Sequence, residues 1–191
     1  YGLSVWHSNM IIENNTFSDC GRRAVSLNLY LQMDNPADYR HISNVIIRNN
    51  AFLRGYHTTS LDLSTQMTAG DVIEDVYFYN NYVDDSEIAW AGKDEGSNQL
   101  FVQQGESRVD NIYIYSNIFV HATTRNILIE GGEDMFVWNN TIFGHNQNID
   151  ANPWGNVTLN GPQTIDYRNN IIYDNLVHAR VRCNKRFKGQ L

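Results

Sequence analysis

The chain has 191 residues, 42% of them hydrophobic, and its 21 Asp and Glu outnumber 14 Lys and Arg to give a formal charge of −7. That length suits one domain with a sizeable core, and no apolar run approaches the roughly 18 to 20 residues of a membrane-spanning helix. The acidic balance disfavours nucleic acid, and equally an anionic membrane, because both are held by clustered Lys and Arg.

In chain order, an alternating strand is expected at residues 3–7, and residues 10–17 then open a pattern that returns without gaps. Its later copies are residues 45–52, 76–83, 112–119, 135–142 and 165–172, spaced 35, 31, 36, 23 and 30 residues apart. Spacing this irregular excludes a helical repeat of fixed length and fits a constant strand core interrupted by loops of varying size. A further alternating strand is expected before each later copy, at residues 24–31, 60–64, 99–103, 126–130 and 156–160. Only three prolines occur and Asn-Asn pairs recur. Asn competes with the helix backbone for hydrogen bonds, so helix is disfavoured.

Within the copies, the first position is apolar throughout (Met10, Val45, Val76, Ile112, Met135, Ile165), and so is the third (Ile12, Ile47, Phe78, Ile114, Val137, Tyr167). Period two places them on one face of a strand. The sixth position is Asn in all six copies (Asn15, Asn50, Asn81, Asn117, Asn140, Asn170), and the residue before it is Asn in five, with Ser116 the exception. Asn tolerates left-handed backbone angles and turns a sharp corner, and a stacked column of its amides can bond rung to rung. The eighth position is apolar again, from Phe17 and Phe52 to Ile172.

Three short strands per turn, with an asparagine ladder at one corner, resemble the pectate-lyase-like superfamily of right-handed parallel β-helices over nearly the whole chain. The expected fold is all-β: a right-handed parallel β-helix of about six coils, with residues 1–191 as one domain. The resemblance is specific for fold and not for activity, since the superfamily includes polysaccharide lyases, glycoside hydrolases, esterases, epimerases, phage tailspikes and adhesins. It implies a secreted, extracellular or periplasmic protein whose partner is a polysaccharide or oligosaccharide, bound along the strand that precedes each copy. The chain begins at Tyr1 with no leader, so a removed signal peptide or a fragment of a longer β-helix is expected.

On that strand the outward columns are expected to read Trp6, Asn28, Asp62, Phe101, Leu128, Thr158 and Ser8, Tyr30, Ser64, Gln103, Glu130, Asn160. Asp62 and Glu130 are the only carboxylates there and the first candidates for the acid and base of glycosidic hydrolysis. Trp6, Asn28, Tyr30, Phe101, Gln103 and Arg125 are the candidate substrate-binding residues. Two strand steps and a two-residue shift put the two carboxylates about 11 to 12 Å apart, wide for a usual pair, so Asp34, Asp38, Asp84 or Asp85 is an alternative partner. Each of these acids reads equally as a solvated surface charge. A lyase needs a base and a cation, for which only Arg23, Arg40, His41 and Arg125 offer themselves, and the paired-Asp and Gly-His-Gly pattern of polygalacturonases is absent. A glycoside hydrolase is therefore ahead of a lyase, with a noncatalytic glycan-binding, adhesion or tailspike-like solenoid, or an inactive structural piece, as alternatives.

No cofactor is required. Ca2+ could be held by acid-rich stretches around Asp84, Asp85, Glu87, Asp94 and Glu95, which lack a defined loop motif, and the scattered histidines form no metal-spaced pair. Five strand steps, roughly 24 Å, separate Cys20 from Cys183, so two free thiols are expected. Tyr77, Tyr79, Tyr113, Tyr115, Phe136 and Trp138 would form an aromatic outer wall, covered by residues 86–97 with Trp90, buried against a second subunit, or open to sugar rings. No cap is evident at either end and residues 180–191 are basic and non-repeating, so homo-oligomerisation through the wall or the ends is a further expectation.

Overall fold

Alternating β-branched and aromatic residues, broken every few positions by Asn, Asp or Gly, leave the backbone little choice but short strands joined at corners. The computed structural model describes residues 2–27, 41–55, 57–64, 70–85, 98–105, 107–122, 124–144, 157–162, 164–173 and 181–183. In chain order the strands are β1 (Leu3–Val5), β2 (Met10–Glu13), β3 (Thr16–Ser18), β4 (Arg23–Leu27), β5 (His41–Arg48), β6 (Ala51–Leu53), β7 (Thr58–Ser64), β8 (Val72–Tyr79), β9 (Tyr82–Asp84) and β10 (Asn98–Gln103). They continue as β11 (Arg108–Tyr115), β12 (Ile118–Val120), β13 (Arg125–Glu130), β14 (Glu133–Trp138), β15 (Thr141–Phe143), β16 (Val157–Asn160), β17 (Ile165–Arg168), β18 (Ile171–Tyr173) and β19 (Val181–Cys183).

Every third strand pairs in parallel with the one before it, giving a first sheet β1-β4-β7-β10-β13-β16-β19, a second β2-β5-β8-β11-β14-β17 and a third β3-β6-β9-β12-β15-β18. The chain is therefore a parallel β-solenoid with three faces around one core. Its core is the stack of inward columns: Met10, Val45, Val76, Ile112, Met135 and Ile165 are register partners down the second sheet. This is the gap-free register of the repeat. An internal aromatic file runs beside it, with Phe17 and Phe52 5.1 Å apart, Phe52 and Phe78 5.8 Å, and Phe78 and Phe119 6.3 Å. Where the third copy has the smaller Val83 at the eighth position, Phe78 from the third position fills the gap in the file. Such stacked pairs contribute about 0.5 to 1.5 kcal/mol each beyond the area they bury.

The two asparagines of each copy divide the corner's work between them. The fifth position carries the left-handed turn, with φ of 59° at Asn14, 56° at Asn49, 54° at Asn80, 56° at Ser116, 53° at Asn139 and 55° at Asn169. The sixth forms the ladder. Asn81 Nδ2 donates to Asn117 Oδ1 at 3.2 Å and to the Ile47 carbonyl at 2.9 Å, while Asn117 Oδ1 also accepts the Asn81 backbone N–H at 2.9 Å. The same bonds recur from Asn15 to Asn170. A second left-handed column, Asn9, Asn44, Asp75, Asn111 and Asp134, sits immediately before the first apolar position. It falls inside β5, β8, β11 and β14 and bends those strands within the second sheet.

The stretch expected to be non-repeating contributes a strand, because Val181, Arg182 and Cys183 pair with Val157, Thr158 and Leu159. Five strand steps separate this β19 from β4, beside which Cys20 lies as a free thiol. The rest of the basic tail lies outside the described residues.

Candidate functional site

The outer face of the first sheet holds the residues expected to carry function, and its register differs from the expected one at the start of the chain. Asp62, Phe101, Leu128 and Thr158 are partners as expected, but the residues beside Asp62 are Ser26 and then Ser4, two positions earlier than Asn28 and Trp6. A two-residue slip keeps every side chain on its own face, so the alternation that defines a strand cannot detect it. Trp6 lies just past β1 with 44% of its surface exposed. Asn28 and Tyr30, like Asp34, Asp38 and Arg40, lie outside the described residues. β7 also carries one residue more than its neighbours: Thr58 and Asp62 pair with Asn98 and Phe101, so four steps oppose three. The bulge sits at Thr59 and Ser60, and bulges of this kind re-aim side chains.

The Asp62 column is a buried layer and not the expected polar and aromatic surface. Asp62 is 0% exposed, Ser26 1%, Leu128 5%, Thr158 5% and Phe101 9%. Asp62 Oδ2 lies 2.7 Å from Arg23 Nε and accepts the Thr58 hydroxyl at 3.1 Å. A carboxylate so deep requires a partner, and Arg23, only 7% exposed itself, neutralises it in place.

The next column is more open. Gln103, Glu130 and Asn160 are register partners, with Ser64 on the far side of Gln103. Glu130 and Gln103 are half-buried and Asn160 is exposed, which makes Glu130 the accessible carboxylate of this face among the described residues. Arg125, on the same strand, donates from Nη1 to Asn98 Oδ1 at 3.3 Å. Burial pulls its guanidinium below the usual range, and the Glu130 charge opposes that shift. Asp62 and Glu130 remain two strand steps and two residues apart, about 11 to 12 Å along the backbone.

Two acids proposed as loop partners are on other faces. Asp84, at the end of β9, holds His121: Nδ1 is 3.1 Å from Asp84 Oδ1, and the Tyr82 hydroxyl donates to Asp84 Oδ2 at 2.8 Å. Burial and the Asp84 bond push the Tyr82 hydroxyl up to about 12. A carboxylate orienting an imidazole is half of an acid–base constellation. The two residues sit at the ninth and tenth positions of successive copies, so they meet on a diagonal, Asp84 itself being the register partner of Val120.

Asp85 is fully buried at the corner between the third and first sheets, where the Thr59 hydroxyl donates to Oδ1 at 2.6 Å. Burial raises its carboxyl from 3.8 to about 7, against the bonds from Thr59, Gly55 and Gln99. The folded form therefore keeps a proton that the unfolded chain gives up above its ordinary value. That contribution to stability is complete below about pH 4 and is lost as pH rises through about 7. Urea unfolding from pH 4 to 8 is expected to show a falling midpoint in the native protein, with a smaller fall in Asp85→Asn. Parallel pH profiles would overturn the assignment.

The aromatic wall is built of rings that face one another. Tyr77 and Tyr113 are 4.7 Å apart and 5° from parallel, Tyr113 and Phe136 4.6 Å and 8°, and Tyr79 and Tyr115 4.8 Å and 7°. Their π faces are taken by neighbours, so ring edges and hydroxyls point outward and the middle of the wall offers no flat face to a sugar. At one end Arg168 sits 4.6 Å over Trp138, and at the other Arg48 donates to the Tyr79 hydroxyl at 3.0 Å. The six rings are half-buried, while residues 86–97, expected as their cover, lie outside the described residues.

No group of three or more His, Cys, Asp or Glu able to hold a metal occurs among the described residues. Glu87, Asp94 and Glu95 are not among them. The chain matches no protein-family model, no curated protein and no solved structure. The class it defines is a parallel β-solenoid, and its function is argued from its own surfaces.

Proposed function

We propose that this chain is a secreted, carbohydrate-active protein of the right-handed, pectate-lyase-like β-helix kind, about six coils long, that holds a polysaccharide along the outer face of its first sheet. The observation that carries the reading is the open column Gln103, Glu130 and Asn160: side-chain amides and one accessible carboxylate in strand register. Amides of this kind suit sugar hydroxyls. Glu130 is then the acid or base of cleavage, with a hydrolase preferred to a lyase because Arg125, on the same strand, is tied to Asn98 and Arg23 to Asp62. Glycan binding without turnover is the second reading. It is favoured by Asp62, whose burial against Arg23 withdraws it from the role of second carboxylate that hydrolysis ordinarily uses.

The test is a panel of neutral and acidic polysaccharides with binding, new reducing ends and unsaturated-uronate absorbance followed with and without Ca2+. Turnover that falls by about 10² to 10⁴-fold in a folded Glu130→Gln variant supports the enzyme. Binding without turnover, weakened by Gln103→Ala, supports the second reading. Neither binding nor turnover on any glycan would sink both.

A further inference from the structure

The corner between the second and third sheets has a polar column that the fold does not use up. Asn14, Asn49, Asn80, Ser116, Asn139 and Asn169 are all exposed, and among the described residues none of their side chains makes a hydrogen bond. Their left-handed φ accounts for the absence of branched residues, but glycine meets that requirement with less strain. What the backbone does not explain is a file of free carboxamides. Adjacent members are one strand step apart, about 4.8 Å.

A shallow, open cleft of about 480 Å3 lies along this file. Asn14, Asn49, Asn80 and Ser116 line it beside the ladder amides, together with the third-sheet column that runs from Thr16 and Ala51 to Tyr82 and Ile118. Tyr82 and Ile118 are 40% and 46% exposed, and the Tyr82 ring is anchored through its hydroxyl to Asp84 at 2.8 Å. The lining carries no charged side chain, in a chain of net charge −7. A carboxamide donates and accepts, which matches a pair of neighbouring hydroxyls, and the exposed Tyr82 and Ile118 at one end of the neighbouring column match the apolar face of a sugar ring. The strand spacing is close to the length of one pyranoside residue in an extended chain.

We propose that this corner cleft binds a neutral, extended oligosaccharide parallel to the solenoid axis, one sugar to each strand step. It is a different face from the first sheet and stands whether or not that face binds glycan. Uncharged lining selects neutral sugars over uronates, because a uronate would bring its carboxylate to an acidic protein without a cation to meet it.

Calorimetric titration with neutral β-glucan and mannan oligosaccharides, and with oligogalacturonate as the charged counterpart, tests this on the whole chain. The triple variant Asn14→Gly, Asn49→Gly, Asn80→Gly keeps the left-handed turns and removes the amides. It is expected to weaken neutral-glycan binding by about tenfold or more, as the loss of several hydrogen bonds implies, while the far-UV spectrum and cooperative melting persist. Asn49→Asp with Asn80→Asp, which retains turn compatibility but loses the donors, is expected to weaken it likewise. Unchanged affinity in both variants overturns the proposal, as does tighter binding of oligogalacturonate than of either neutral oligosaccharide, or no binding of a neutral one. Loss confined to Gln103→Ala and Glu130→Gln overturns the corner site and leaves the first-sheet site standing.

Discussion

Asn117→Ala is expected to lower the unfolding free energy by about 3 to 5 kcal/mol, read as a fall in the urea midpoint at unchanged slope. The side chain is 1% exposed and joins three levels of the solenoid. Its Oδ1 accepts the Asn81 backbone N–H and side-chain amide, and its Nδ2 donates to the Phe78 carbonyl at 2.9 Å and to Asn140 Oδ1 at 3.0 Å. Truncation takes a bond from four polar groups, of which Asn81 Nδ2 keeps the Ile47 carbonyl and Asn140 Oδ1 keeps the Asn117 backbone N–H, and each buried group left unsatisfied costs about 1 to 3 kcal/mol before relaxation or entering water recovers part of it. Asn80→Gly, one residue from the ladder and exposed, is the control and should shift the midpoint little. Equal effects of the two substitutions would mean that the corner is held by its backbone turns and not by the ladder.

The second large effect concerns Arg23 and Asp62. Asp62→Leu alone, or Arg23→Met alone, is expected to cost about 3 to 5 kcal/mol, because either leaves one buried charge facing an apolar replacement. The double variant should recover most of that loss, since the pair is bounded by Phe101 and Leu128 in the same buried layer and neither charge then needs solvation. A double-mutant cycle with a coupling energy near zero would show that the 2.7 Å contact contributes nothing to stability. The cycle also bears on function. If Asp62 served catalysis directly, Asp62→Asn would abolish turnover in a protein that remains folded. A residue that only neutralises Arg23 would lose stability and activity together.

The solenoid was legible because its signal is repeated. One Asn at a corner means little, but Asn15, Asn50, Asn81, Asn117, Asn140 and Asn170 at one position of a gap-free pattern define register as well as turn. The second and third sheets follow directly, since the corner ties their strands together. The first sheet is separated from the others by loops of variable length, and only its period-two alternation was available there. That is why Asp62 was set beside Asn28 when it lies beside Ser26. Burial of the Asp62 column was hidden for a related reason. Alternation tells which residues face away from the core, and not whether something else lies upon them. Phe101 and Leu128 in that column were the warning, because two large apolar groups in one outward file usually need cover. The Asp84 and His121 contact is less legible, because the two residues fall at different positions of successive copies and meet on a diagonal.

The amide column has a direction. From Asn15 to Asn140 every rung donates its Nδ2 hydrogen to the Oδ1 of the rung that follows, and never the reverse. The small dipoles therefore add, and each bond polarises the next. Such a file has a head and a tail, so a solenoid built on it can lengthen or shorten only by whole turns that bring their own asparagine in the same sense. Loops can vary freely between copies, but a one-residue insertion or deletion inside the eight-residue repeat would break the file at that rung and reverse the facing of the strand beyond it.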